Sequence, residues 1–140
     1  MTGSFLTNPK LEFLYPYMWG ASRGIPREFF DGKHAVLLED FSYATALGYR
    51  TAREGLVTDG GSIPRCFWFE ICAPFMEYLP AFLIHDQDCE DAHKLPPAEC
   101  ERALDEADER LLEMLGVLCC PWLKKRLIYR AVCLAHEVRE

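Results

Sequence analysis

The chain has 140 residues, half of them hydrophobic and 13% aromatic, which is enough for one domain with its own core, too little for two comfortable ones, and too apolar for disorder. Its formal charge is -7, with acidic residues crowded between Glu77 and Glu113, and the absence of a basic stripe argues against a nucleic-acid partner. The nearest approach to one, Lys124-Lys125-Arg126, reads as a solvated helix face.

Seven cysteines are an odd number without a framework spacing, so they read as small core residues in a reducing compartment. The opening MTGSFLTNPK lacks the long apolar stretch of a secretory signal. No apolar run approaches the ~18 residues that span a bilayer.

In chain order, LEFLYPYMWGASRGIP is aromatic-rich but punctuated by Pro16, Gly20, Gly24 and Pro26. It predicts a short strand followed by an ordered loop. HAVLLEDFSYATALGYRT carries β-branched and aromatic residues, alternates through Phe41, Tyr43 and Thr45, and breaks at Ala46 to Gly48. A hairpin or meander is expected there.

Near residue 60 the period becomes helical. Tyr78, Phe82, His85 and Cys89 share one face of a helix predicted from about Leu79 to Asp91. A second helix is expected from Pro96 or Pro97 to near Gly116, a C′ glycine, with Leu104, Ala107 or Asp108, Leu111, Leu112 and Leu115 inward. A third begins at or after Pro121, with Trp122, Leu123, Leu127, Ala131 and Leu134 expected to face the core. The fold class is α+β: a small antiparallel sheet followed by three packed helices, in one domain over residues 1–140.

The chemistry-bearing stretch is AFLIHDQDCEDAH, residues 81–93. His85 shares its face with apolar neighbours and so points at the core or a cleft. Asp86 lies about 100° round the helix and faces elsewhere, so one residue can act while the next holds something else, such as a metal ion. In the second helix Asp108 sits in the apolar stripe, where a carboxylate needs a partner. A short proline-containing turn makes the two helices antiparallel, so His85 and Asp108 can meet; Asp105, one turn earlier, is the substitute.

A further candidate is Asp59-Gly60-Gly61-Ser62, a turn whose glycines let backbone approach a ligand, with Ser62 able to cap a short helix opened by Pro64. A zinc reading uses His85, Cys89, His93 and Cys100, which lack C-x-x-C support. Cys119-Cys120-Pro121-Trp122 reads as a buried helix start rather than a redox pair. Phe67, Trp68 and Phe69 are expected in the core, with an exposed lip as the other reading.

LVTDGGSIPR, CFWFE, AFLIHDQDC, ALDEADERLLEMLGV and LIYRAV follow one another in the order of a family common in bacteriophage genomes, domain of unknown function 1353. Its pattern is close to T-D-x-x-S-I-P, H-D-x-x-Y, A-D, G-V and Y. The resemblance covers roughly residues 35–136 and departs at Cys89, where tyrosine is usual, and in the acidic linker EDAHKLPPAE. It implies a phage or prophage protein, made in the host cytoplasm, with virion association a further expectation.

A second resemblance is to secreted-type A-two phospholipases. It implies His85 as general base, Asp108 as the residue holding its tautomer, and Asp86 with the carbonyls of Gly60 and Gly61 as a Ca²⁺ site. No counterpart of that family's helix-locking cysteine bridge is present.

Two functional classes follow. One is a hydrolase of ester or amide bonds using a His–Asp dyad with or without Ca²⁺, acting on a host envelope component. The other is a non-catalytic virion or host-interaction protein, partnered with phage structural proteins, in which the pair holds the fold.

Overall fold

The computed structural model describes residues 3–21, 24–59 and 77–139. Among these, six short strands form two antiparallel sheets and three long helices follow, so the α+β class holds with two sheets where one was expected. The strands are β1 (Ser4–Phe5), β2 (Leu11–Phe13), β3 (Ala35–Leu37), β4 (Phe41–Thr45), β5 (Gly48–Ala52) and β6 (Val57–Thr58). They pair as β1-β4-β5 and β2-β3-β6.

The predicted hairpin is β4–β5. Thr45 is opposite Gly48, so Ala46 and Leu47 make a two-residue turn. Gly48 there has φ +125°, a conformation L side chains rarely adopt, and Thr45 Oγ1 donates to its carbonyl at 2.7 Å. Along β4 the alternation holds for Phe41 and Tyr43, which are buried between half-buried Ser42 and Ala44, but not for Thr45, which is half-buried at the turn. β3 leaves this sheet to pair with β2 and β6, which is why a single meander does not form. The stretch after β2 contains a six-residue 3-10 turn, Pro16–Ala21.

The helices are α1 (Leu79–Ala92), α2 (Pro97–Val117) and α3 (Trp122–Arg139). α1 packs on the β4–β5 hairpin and against α2, and α2 packs in turn against α3. The main core joins Leu37, Phe41 and Tyr43 from strands to Phe82, Leu83 and Ile84 of α1, Leu111, Met114 and Leu115 of α2, and Ile128 and Val132 of α3. A smaller cluster, Leu14, Phe30 and Val36, lies under the second sheet.

Three sequence expectations need correction. In α2 the buried stripe takes Met114, with Leu112 half-buried instead of fully inward. The C′ position is Cys119, with φ 61°, two residues beyond the end of α2 and not Gly116. Cys120 N–H bonds Leu115 C=O at 3.0 Å and Cys119 N–H bonds Gly116 C=O at 3.1 Å, the paired bonds of a Schellman motif. Cys119-Cys120 therefore terminates α2, with Cys119 exposed and Cys120 buried.

The third correction concerns α3. Trp122, Leu123, Leu127 and Leu134 are 68%, 63%, 43% and 54% exposed, and the buried residues are Ile128, Ala131 and Val132. α3 carries apolar residues on two sides, and its period alone does not say which side faces α2.

Candidate functional site

His85 and Asp108 meet between α1 and α2. His85 Nε2 lies 2.8 Å from Asp108 Oδ1, with the histidine 0% and the aspartate 3% exposed. An ionised carboxylate can only accept, so Nε2 is the nitrogen that donates in this pair. Cys89, one turn on, places its sulfur 3.8 Å from Nδ1 and 3.6 Å from Nε2. The other oxygen of Asp108 accepts from the Cys133 thiol of α3 at 3.6 Å. One aspartate therefore links all three helices.

Burial, then the Asp108 charge, pushes the Cys133 thiol up from its ordinary value. Tyr129, one turn before Cys133, is also raised, first by the neighbouring sulfur and then by burial. Both shifts disfavour ionisation of these groups near the Asp108 carboxylate.

Asp105 is exposed, and Asp108 alone of the two candidates bonds the imidazole. Asp86 faces away from His85 as its helical position requires, and its Oδ2 accepts from Thr58 Oγ1 at 2.8 Å. That bond ties α1 to β6, directly before Asp59. Asp59 is exposed; Gly60, Gly61 and Ser62, and the aromatic trio Phe67, Trp68 and Phe69, lie outside the described residues.

Among the described residues no three His, Cys, Asp or Glu side chains converge to hold a metal ion. For zinc, the expected set divides. His85 and Cys89 are inward, whereas His93 is exposed at the end of α1 with Cys100 3.9 Å from its Nδ1. For Ca²⁺, Asp86 is the described candidate ligand and is engaged by Thr58.

One buried charge was missed. Asp88 is 5% exposed and receives Arg50 Nε at 3.0 Å, Arg50 Nη2 at 2.5 Å and Arg110 Nη1 at 2.6 Å. It thus joins α1 to β5 and α2. Next to it, Gln87 Oε1 accepts from the Arg53 backbone N–H at 3.0 Å and its amide donates to Asp91 at 3.2 Å. Asp91 also pairs with Arg53 at 2.6 Å, and that guanidinium lowers its carboxyl from the ordinary value. In sequence these acids stand within the crowding of acidic residues between Glu77 and Glu113. Asp88 lies three residues after His85, on the same broad side of α1, and that spacing was the available sign.

Among the described residues every buried side-chain nitrogen and oxygen has a hydrogen-bond partner. The polar stretch from His85 to Asp91 therefore acts as a set of fasteners that tie α1 to α2, to β5 and the residue after it, and to β6.

A family model described as "Protein of unknown function (DUF1353)" matches residues 35–132, a span that holds β3 to most of α3 and all of these fasteners except Cys133. The chain belongs to the DUF1353 family. No curated protein and no solved structure matches it.

Proposed function

We propose that this is a phage or prophage protein that works through its surface, as a virion or host-interaction component, and that the His85–Asp108 pair is a lock holding its helices together. The observation that carries this reading is the complete enclosure of His85. A general base has to reach the proton it removes, directly or through one water, and an imidazole with no exposed surface is better placed to join helices than to meet substrate. The continuation of the network through Asp108 to Cys133, and the parallel fastening of Asp86 to Thr58 and Asp88 to two arginines, support the same role.

The orientation of the ring favours a second reading, a hydrolase. With Nε2 held by Asp108, Nδ1 is the atom that would take a proton from water as the water oxygen bonds to an ester or amide carbonyl carbon. The imidazolium, steadied by Asp108, would return that proton to the leaving oxygen or nitrogen as its bond to carbon breaks.

Purified protein assayed for ester and amide hydrolysis, with and without Ca²⁺, separates the two. The lock reading expects no turnover above buffer and a His85→Ala variant with reduced stability. Turnover by the wild type that disappears in a folded His85→Ala or His85→Gln variant would establish the hydrolase. Mass spectrometry of purified particles tests the virion assignment, which expects the protein to be present.

A further inference from the structure

Trp122 to Leu134 contains Lys124, Lys125, Arg126 and Arg130 and not one Asp or Glu, although the chain as a whole carries -7. On this segment Trp122, Leu123, Leu127 and Leu134 are exposed, as are Arg126 and Arg130. At about 100° per residue these six occupy an arc of roughly 140°. The outer side of α3 is thus a continuous apolar and basic face. Exposed apolar surface of this extent, bordered by charge, marks a docking surface.

A surface of opposite charge lies elsewhere on the same chain. The β4–β5 turn and α2 enclose an open groove of about 620 Å³. Its apolar part is Leu47, 100% exposed, and Tyr49, 69% exposed; its acidic part is Glu106, Glu109 and Glu113. The two arginines that also line it, Arg50 and Arg110, are turned to Asp88, which leaves the carboxylates to set the sign of the groove.

We propose that the occupant of this groove is a second copy of the chain: the outer face of α3 of one copy docks against the β4–β5 turn and α2 of the next. The leucines of α3 would cover Leu47 and Tyr49, while Arg126 and Arg130 oppose Glu106 and Glu109. The two surfaces share no residue, so each copy keeps one of each free, and the association is head to tail. An anionic lipid surface would suit α3 but would leave the acidic groove without a role, so charge complementarity favours the second copy. Docking through these two surfaces does not depend on whether His85 is catalytic.

Sedimentation velocity on the full chain, across protein concentration and salt, tests it. The wild type is expected to form species beyond the dimer as concentration rises and to dissociate as salt screens the charges. The variants Arg126→Glu/Arg130→Glu and Glu106→Arg/Glu109→Arg are each expected to sediment as monomers with unchanged circular dichroism. An equimolar mixture of the two should associate again, because the native face of one variant meets the native groove of the other and the two reversed surfaces are also opposite in charge. A wild type that is monomeric throughout, an association indifferent to both charge reversals, or a mixture that stays monomeric would overturn the proposal. Binding of monomeric wild type to anionic vesicles, lost on reversing the two arginines, would assign the α3 face to lipid instead.

Discussion

At the scale of the residue, a histidine with no exposed surface sits in a core only when its polar atoms are provided for. His85 is held by Asp108, and the aspartate by both His85 and Cys133. Removing one member strands the other: His85→Ala is expected to cost about 3–5 kcal/mol in denaturant unfolding, because Asp108 is left as a buried charge. The double variant His85→Leu/Asp108→Leu should recover much of that loss, since an apolar pair of similar volume has no desolvation penalty. A double variant as unstable as the single one would count against the lock. Asp88→Asn keeps the shape but removes the charge that orients Arg50 and Arg110, and should cost about 2–3 kcal/mol by the same measurement. The His85–Asp108 pairing was legible in the sequence, because an aspartate in an apolar helical stripe demands a partner. Asp88 was not, since its arginines come from a distant strand and from the next helix.

At the scale of the element, helix ends carry a clear test. Cys119 holds φ 61° at the end of α2, a conformation that costs an L residue roughly 1–2 kcal/mol and glycine little. Cys119→Gly should therefore raise stability by about 0.5–1 kcal/mol, after allowing for the greater freedom of glycine in the unfolded chain. An unchanged or lowered melting temperature would contradict it. Sequence favoured Gly116 for this position because glycine is the usual C′ residue. The helix instead continues through Gly116 to bury Met114 and Leu115 against the core, and the left-handed residue falls where the chain turns towards Pro121. The extents of α1 and α2 were otherwise within a residue or so of their expected bounds, as strong periodicity and flanking prolines would lead one to expect.

At the scale of the whole molecule, Tyr43 couples the sheet to the helices. Its hydroxyl donates to Glu113 Oε2 at 2.8 Å and accepts from the Gly3 amide at 3.1 Å. Burial, with the Glu113 bond and charge behind it, pushes its pKa from 10.0 to about 12. A raised folded value means that the unfolded phenol ionises first. The contribution of Tyr43 is therefore fully present below pH ~10, declines as pH rises and is gone above about 12. Stability should fall across that window, and a Tyr43→Phe variant should show a shallower fall; equal slopes in denaturant titrations would refute the assignment.

Sequence by itself determined the local periods: where the β4–β5 hairpin turns, where the helices run, and that His85 and Asp108 point inward. These follow from spacings of a few residues, which the backbone reads directly. Tertiary structure alone decided that the strands divide into two sheets, that Asp88 gathers two arginines, and that α3 turns Ile128 and Val132 inward while leaving Trp122 and its leucines outside. Such choices depend on partners far away in the chain. A helix apolar on two sides is assigned an inner face only when its neighbours are in place, and the face it leaves outward is the one we expect a second copy to cover.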